Sequence, residues 1–480
     1  MTRIFPIVSL LGLLIFLGCA AVGPDYIKPE MPLPDQWHSS AAPESPAGDR
    51  LLTEWWETLN DPVLTDLIDQ ATTANLDMGQ AASRVRQARA QRQQTRAALF
   101  PTLDASGSAR KSGHHAEDGS YSDSELYAAG FDAGWELDVF GGIRRSVEAS
   151  QANLGATEEN LRDVLVTLLA EVAINYADVR TYQTRLEVAE RNLNTQEETW
   201  HLLDALSQAG TGDELAVSQA RYNMESTRAK IPDLKVGLEA AMNRLAVLTG
   251  QAPGSLHDRL EEVRPIPQVS TEMAVGVPAD VIRRRPDIRQ AERELAAQTA
   301  RVGAATAELY PQFSLSGSIG LESLSLGDLF SSGSSLWSIG PTVRWPVFDA
   351  GAIHSNIDVQ DELRQQALLS YEAVVLGALE EVENAMTAYA QEQHKIESLQ
   401  AAAEAARLAE QLAGQQYIAG LTGFSNVLDA QRSLLSFEDQ MTASRGAVFS
   451  EFVRLYKALG GGWQAFDQAV PAAPSETHKG

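Results

Sequence analysis

The chain repeats itself once over almost its whole length, and this duplication limits the folds that it can adopt. Leu99-Phe100-Pro101 recurs 210 residues later as Leu309-Tyr310-Pro311. In both places the motif closes a helical pattern and opens a stretch rich in serine and glycine. Two copies, 62–250 and 272–460, are therefore expected. A repeat of this length is a duplicated domain and not a solenoid unit.

Each copy contains two segments in which apolar and polar residues alternate. The pattern predicts strands near 101–112, 125–140, 311–322 and 336–348. Alternation over about ten residues suits a membrane-spanning barrel strand, whereas a soluble sandwich with one buried face is the alternative. Four strands do not close a barrel, and lipid does not tolerate an open sheet edge. The membrane interpretation therefore requires three chains and twelve strands.

The remainder of each copy is long helix. The proline-free stretches 143–207 and 352–414 each span on the order of 95 Å at about 1.5 Å per residue. The second carries a heptad pattern, which implies left-handed supercoiling. Each repeat is predicted as helix, strand, strand, long helix, turn and helix, and a cytosolic coiled-coil scaffold is the competing structure. The heptad positions form a packing seam of two rows. One row is Val375, Val382, Tyr389, Ile396 and Ala403, and its partner row is Ala378, Ala385, Leu399, Ala406 and Ala413.

The amino terminus predicts export from the cytoplasm. An apolar run at 4–17 follows one arginine, which is typical of a signal peptide over 1–18. Cys19, the only cysteine of the chain, is predicted to carry lipid, and a signal peptide that happens to end in cysteine is the alternative. Ala20 after the cysteine favours delivery to the outer membrane. Residues 19–61 are predicted to be a lipid-anchored tether.

Charge and motif content exclude several classes of protein. A net charge of -26 argues against nucleic acid and anionic lipid as partners. No arrangement of residues suggests an enzyme, a cofactor or a metal site, since His114-His115 falls in a predicted loop where solvated histidines are common. The segments 251–271 and 461–480 are interpreted as a linker and an unstructured tail.

Five motifs, taken in order, resemble the TolC-like outer-membrane efflux proteins, also called outer membrane factors, in their lipoprotein branch of the nodulation-factor-secretion type. The resemblance covers nearly all of the mature chain. It implies a homotrimer with a twelve-stranded β-barrel and a long α-helical barrel. It also implies docking to a periplasmic adaptor (a membrane fusion protein) and an inner-membrane pump of the resistance-nodulation-division type. The motifs are Gly23-Pro24-Asp25-Tyr26, Trp55-Trp56 before Asp61-Pro62, Val277 to Ile288, Tyr417-Ile418-Ala419-Gly420, and Asn426 to Arg432.

The resemblance also assigns a periplasmic aperture. Asp429 matches an acid that lines the constriction in relatives, while Asn426 occupies a second such position and Ser218 is the repeat partner of Asp429. One ring of acids per trimer is therefore expected, and a solvated helix residue is the alternative. Tyr417 matches a tyrosine that helps to hold the helices closed, and Arg432 lies about one helical turn beyond Asp429.

Glycine-rich turns are expected at the periplasmic end, where they would dock the adaptor. Their glycines are Gly210, Gly212, Gly420 and Gly423. An anionic lumen lined by Asp132, Glu136 and Asp138 is expected of a water-filled barrel. The sequence thus predicts the exit duct of a tripartite efflux pump. The alternatives are the outlet of a protein-secretion or metal-export system, the latter without support from the dispersed methionines, or a trimeric stalk without transport.

Overall fold

The computed structural model describes residues 21–39, 52–115, 121–269 and 278–469. Among these residues, no helix is both long and apolar enough to cross a membrane. In chain order the elements are α1 (Pro62–Ala74), α2 (Leu76–Ala97), β1 (Thr102–His115), β2 (Tyr121–Leu137), α3 (Gly142–Gln208), α4 (Glu214–Arg228), α5 (Lys230–Leu248), α6 (His257–Leu260), α7 (Pro278–Arg284), α8 (Pro286–Ala307), β3 (Gln312–Ser323), β4 (Ser335–Arg344), α9 (Ala352–Ile418) and α10 (Phe424–Ala458), with 3-10 turns at Trp55–Leu59, Leu326–Asp328 and Trp463–Ala469.

The predicted order of elements is confirmed in both copies of the repeat. The copies differ in the returning helix, which is continuous in α10 but divided between α4 and α5 at Ala229. Pro232 explains the division, because it has no N–H to donate to the carbonyl of Arg228 and its ring would clash there. The chain therefore restarts the helix at Lys230.

The two long helices contain 67 residues each. Most of the predicted seam of α9 is buried, with exposures of 0% at Val375, 0% at Val382 and 1% at Tyr389. Ile396 and Leu399 are half-buried. Because the apolar residues recur every seven positions, one face of α9 stays packed over many turns.

The strands form one antiparallel sheet in the order β1-β2-β3-β4. Its register aligns an apolar row across all four strands (Ala105, Phe131, Ile319, Trp337) and, one residue along, a polar row (Asp104, Asp132, Ser318, Ser338). In this single chain the apolar row is open to solvent, since Trp337 is 73% exposed. β1 and β4 each have one neighbouring strand in the described sheet, so both edges are unpaired.

Two of the strands end earlier than the alternation predicts. β2 stops at Leu137 instead of 140, and β4 stops at Arg344 instead of 348. The last pair of the β3–β4 ladder is Gln312 with Arg344. Pro311 and Pro346 lie beyond that pair, and neither has an N–H with which to extend the ladder. Trp345, Val347 and Phe348 therefore lie outside the strand.

The chain divides into two compact units. The sheet unit comprises Met1–Met31, Ser83–Glu158 and Gln290–Ala373, and the helical unit comprises Pro32–Ala82, Glu159–Arg289 and Val374–Gly480. In the helical unit, an aromatic core forms around Trp55, Phe452 and Tyr456. Asp61 caps α1 and also accepts a hydrogen bond from the hydroxyl of Tyr176 at 2.6 Å. Burial, followed by this hydrogen bond, raises the pKa of Tyr176 to about 12.

The arginine motif that opens the second repeat has a structural role in the helical unit. Arg285 donates from Nη1 to the carbonyl of Ala458 and to Glu381, each at 2.7 Å. Its Nε and Nη2 atoms bind Asp287 at 3.0 and 2.6 Å. Because the last carbonyls of a helix have no partner within it, Arg285 stabilises the carboxyl end of α10. A residue at the start of the second repeat thereby stabilises the last helix of the same repeat.

Candidate functional site

Two helical turns related by the repeat carry the predicted docking glycines. Gly210 has a φ of 73° and Gly420 a φ of 68°. In each turn, the glycine N–H and the following N–H bond back to the last helical carbonyls: Gly210 to Ser207 and Thr211 to Leu206, Gly420 to Tyr417 and Leu421 to Gln416. This is the pattern of a Schellman motif, which needs a left-handed residue where glycine has no steric cost.

The second glycine of each turn differs between the copies. A Cβ on Gly212 would lie 2.6 Å from the backbone nitrogen of Ser207, so only glycine fits there. Gly423 has a φ of -77°, and a Cβ there would meet only the Ser425 side chain at 3.7 Å. A larger side chain is therefore compatible with the backbone at Gly423. The two turns share the Schellman hydrogen bonds but differ in how closely the second glycine is packed.

An apolar cluster, here called the turn cluster, lies behind these turns. Phe424, at the start of α10, is 5% exposed and packs with residues from α3 and α4. The ring of Tyr417 lies against Phe424 with 5.2 Å between centroids. The position assigned to a closing tyrosine therefore makes an aromatic contact within its own hairpin. The buried members are Leu203, Ala216, Val217, Ala220, Phe424, Val427 and Leu428.

The two predicted aperture positions lie on the exposed side of α10. Asp429 is exposed, and its backbone carbonyl accepts a hydrogen bond from the hydroxyl of Ser433 at 2.8 Å. Asn426 is also exposed, but its amide donates to the hydroxyl of Thr422 in the preceding turn. The carboxylate of Asp429 thus faces solvent in the single chain, whereas the side chain of Asn426 is folded back on the turn.

Arg432 makes a cross-repeat contact instead of facing the same way as Asp429. Its Nε donates to Oδ1 of Asn223 on α4 at 2.9 Å, and its guanidinium lies 4.9 Å from the ring centre of Tyr222. Asn223 is 3% exposed. Because a guanidinium that binds an amide and stacks on a ring is held in orientation, this contact ties α10 to α4.

Further along α10, two acids make ties that the sequence analysis did not single out. Glu438 accepts from Arg407 of α9 at 2.6 Å and from Asn192 of α3 at 3.2 Å. The adjacent Asp439 binds Arg185 of α3 at 2.7 and 3.0 Å. These pairs join residues that are far apart in sequence and belong to no motif, so only the packing of the helices brings them together. The signal in the sequence for these two ties was the presence of charged residues in the returning helix α10.

A cavity of about 180 Å³ lies beside Glu438. It is lined by charged and amide side chains, including Gln196 and Gln431, which are 3% and 6% exposed. The Oε1 atom of Gln196 has no hydrogen-bond partner among the described residues. A polar space of this size accommodates ordered water, which would satisfy that acceptor.

At the helix end of the sheet, one predicted lumen residue has a different role. Asp138 follows β2, and its carboxylate accepts from the backbone N–H groups of Ile143 and Arg144 at 3.0 and 2.9 Å. The prediction that Asp138 lines a lumen is therefore wrong, because it caps the first turn of α3. Asp132 remains on the polar face of the sheet and accepts from the hydroxyl of Ser106 at 2.9 Å.

Two further points concern the predicted lipid acceptor and metal binding. Cys19 lies outside the described residues. Among the described residues, no group of three or more histidines, cysteines, aspartates or glutamates is arranged to hold a metal ion.

Comparison with known proteins agrees with this architecture. The family model described as outer membrane efflux protein matches residues 67–251 and 277–461, one match in each copy of the repeat. The chain is 33% identical over 452 residues to nodulation protein T of Rhizobium leguminosarum bv. trifolii, covering 93% of this chain and 94% of that protein. It is 32% identical over 448 residues to the cation efflux system protein CusC of Escherichia coli O6:H1, covering 93% and 96%.

A solved structure gives the same result for the fold. The outer-membrane channel OprN superposes with a TM-score of 0.86 at 38% identity, covering 92% of this chain and 99% of that one. The resemblance predicted from the motifs is thereby confirmed. With both copies of the repeat matched and the fold shared, this chain belongs to the outer membrane efflux protein family.

Proposed function

We propose that this chain forms, as a homotrimer, the outer-membrane exit duct of a tripartite efflux pump. The observation that carries the proposal is the four-stranded sheet, which is apolar on one face, polar on the other and unpaired at both edges. In lipid, unpaired edges are excluded, and three copies supply the twelve strands that a closed barrel with a polar interior needs.

The long helices supply the second part of the duct. Each has 67 residues and therefore extends about 100 Å at 1.5 Å per residue, which suits an α-helical barrel through the periplasm. A trimer would place six repeat-related turns at its periplasmic end. Leu215, Ile418 and Leu421 are exposed in or beside these turns, and exposed apolar residues of this kind suit docking to a periplasmic adaptor.

Membership of the outer membrane efflux protein family supports an adaptor and a pump as partners. A duct does not supply energy, so we infer an adaptor and an inner-membrane pump, the latter of the resistance-nodulation-division type. Cys19 would carry the lipid anchor in the outer membrane. The proposed activity is transport and not catalysis.

A metal-export role is the second candidate, because the identity to the cation efflux protein is nearly the same as that to nodulation protein T. Small organic molecules remain the favoured substrates, since the methionines are dispersed and a soft-metal path would concentrate sulfur ligands.

The decisive experiment combines conductance with export. Purified protein in planar bilayers should open ion-conducting channels, and deletion of the gene should raise the accumulation of exported dyes as much as deletion of its pump. Sensitivity to transition-metal salts without any change in dye accumulation would instead support metal export. A stable trimer without conductance, in a strain whose accumulation is unchanged, would favour a structural stalk and contradict the proposal.

A further inference from the structure

The residues that follow the predicted lipid acceptor are bound to the sheet unit and do not form a free tether. Val22 donates its backbone N–H to the carbonyl of Phe140 at 3.0 Å. Arg145, near the start of α3, donates from Nε to the carbonyl of Val22 at 3.0 Å and from Nη2 to Asp25 at 2.7 Å. We call residues 21–28 the amino-terminal strap.

Close backbone packing fixes the path of the strap. Gly23 has a φ of 87°, and a Cβ there would lie 2.3 Å from the Cα of Gly303 on α8. A Cβ on Gly303 would in turn lie 2.9 Å from the side chain of Arg145. Both glycines are therefore needed for the strap to pass between Arg145 and α8.

A second fixed point of the strap lies nearer the amino end of α8. Lys28 binds Glu292 at 2.7 Å, and the guanidinium of Arg293 lies 5.6 Å from the ring centre of Tyr26. Burial favours a raised pKa for Glu292, but the hydrogen bonds from Lys28 and Arg293 outweigh it and hold that pKa below its usual value. The strap is thus attached by charged groups as well as by its backbone.

The lengths between the two fixed points match. Gly303 and Glu292 are separated by about 16 Å along α8, at 1.5 Å per residue. The five residue-to-residue steps from Gly23 to Lys28 span at most about 17 Å when extended. The strap therefore runs close to extended along α8 between these two points.

The start of the strap lies near the helix end of the sheet, because Val22 is bonded to Phe140. Phe140 follows the end of β2 by three residues, and Trp135 of β2 donates its indole N–H to the carbonyl of Leu99 at 3.0 Å. Trp345 makes the repeat-related contact to Leu309, also at 3.0 Å. Tryptophans with an apolar face and a bonded N–H are typical of the boundary between lipid and water.

We propose that Arg145 is the positioning residue that holds the lipid-bearing amino terminus at the helix end of the sheet. Cys19 precedes Ala21 by two residues in the sequence, and two residues of chain span at most about 7 Å. Arg145 is a buried cation, with a side chain 6% exposed, that has Glu148 on its own helix as its other partner. Loss of the strap would remove three of its acceptors, so docking of the strap is strongly favoured. The inference rests on the proposed lipoprotein function.

Spin labelling of the full-length protein in lipid nanodiscs tests this assignment. Cys19 is the only native cysteine, so an Ile27→Cys substitution supplies the only free thiol once Cys19 is acylated. Ile27 is 83% exposed and carries a nitroxide without disturbing the strap. Its spectrum would be recorded in otherwise native protein, in Arg145→Ala and in Arg145→Lys. The control is Arg144→Ala, because that guanidinium binds Asp138.

We expect an immobilised spectrum in the native background and in Arg144→Ala, a dominant mobile component in Arg145→Ala, and partial recovery in Arg145→Lys. A second label at Val359, exposed on α9 of the same unit, should stay unchanged, which separates release of the strap from general loss of structure. An immobilised Ile27 label in Arg145→Ala would overturn the assignment.

If Arg145→Ala fails to assemble, Arg145→Met decides the question, because it keeps an apolar stem of similar length but donates no hydrogen bond to the strap. An unchanged spectrum there overturns the assignment as well. Fatty-acid labelling of the same preparations keeps the two proposals apart. Absence of the fatty-acid label on native protein would refute the lipoprotein proposal. The role of Arg145 in holding the strap is tested only by the spin-label spectra.

Discussion

Arg432 of the second repeat and Asn223 of the first repeat are joined by a hydrogen bond of 2.9 Å from Nε to Oδ1. The contact connects α10 to α4 just behind the two turns that are proposed to face the adaptor. It is an internal tie of one chain and is available before any trimer forms. Asn223 is buried, and Arg432 is the hydrogen-bond donor to its Oδ1 atom.

Loss of this tie should loosen the turn region. We expect Arg432→Ala to cost about 1 kcal/mol, a reduced value for a charged hydrogen bond because Arg432 is exposed. If the tie stabilises the closed channel, a loss of about 1 kcal/mol raises the fraction of open channels about fivefold. The basal conductance in planar bilayers should rise by the same factor. Arg221→Ala is the matched control, since Arg221 is the repeat counterpart of Arg432 and is exposed. Equal conductance in the two variants would contradict a role for the tie.

Tyr417 should act through its ring and not through its hydroxyl. Because the ring packs on Phe424, Tyr417→Phe should leave basal conductance close to the native value. Tyr417→Ala removes the aromatic pair, loses about 1 kcal/mol and should leak. Uptake of vancomycin by intact cells measures the leak. A larger effect from Tyr417→Phe than from Tyr417→Ala would show that the hydroxyl is essential.

Asp429 is predicted to line the constriction of the assembled duct. Its exposed carboxylate would form one ring of three charges in a trimer, and clustered like charges favour cations in a narrow pore. Asp429→Ala should therefore lower cation preference and weaken block by multivalent cations in single-channel records. Glu397→Ala on α9 makes the same change in charge at another exposed position. Native selectivity in a correctly assembled Asp429→Ala trimer would refute the assignment.

Gly423 allows docking to be tested without straining the fold. Gly423 has an ordinary φ and open space around it, so Gly423→Arg should assemble but abolish resistance to exported compounds. Gly420→Arg should lose resistance too, with an added cost of about 1 kcal/mol for a left-handed residue. Minimum inhibitory concentrations and crosslinking to the adaptor measure both. Gly333→Arg, also in open space, is the control, and full resistance in Gly423→Arg would exclude the turn from docking.

Asp163 should make stability depend on pH. Burial, and secondarily the nearby Asp287, raises the pKa of Asp163 above its usual value despite the opposing charge of Arg285. The folded state therefore favours the protonated acid, and that stabilisation is lost as pH rises through the raised pKa. Asp163→Asn should melt at a higher temperature than native protein at pH 7, with the difference vanishing below about pH 4. Asp233→Asn, at an exposed position, makes the same substitution elsewhere and is the control. A lower melting temperature for Asp163→Asn at pH 7 would contradict this account.

The sequence by itself determined the architecture. The duplication, the alternating strand segments and the heptad in α9 are periodic signals, and each period corresponds to one local structure, so the order of elements follows from them directly. The positions of the turns also follow, because Gly210 and Gly420 supply the left-handed residue that ends a helix. The early ends of β2 and β4 were missed because alternation continues past the point where the ladder loses its partner.

The tertiary structure decided which charged residues meet. Arg145 and Asp25, Glu438 and Arg407, and Arg432 and Asn223 are far apart in sequence or on different helices, and no period relates them. Their pairing depends on how the helices cross and on which rotamers the packing leaves open. Asp138 shows the same limit, since its alternation places it in a strand, whereas the turn into α3 makes it a helix cap. Local periodicity fixes the elements, but contacts between elements are fixed only by packing in three dimensions.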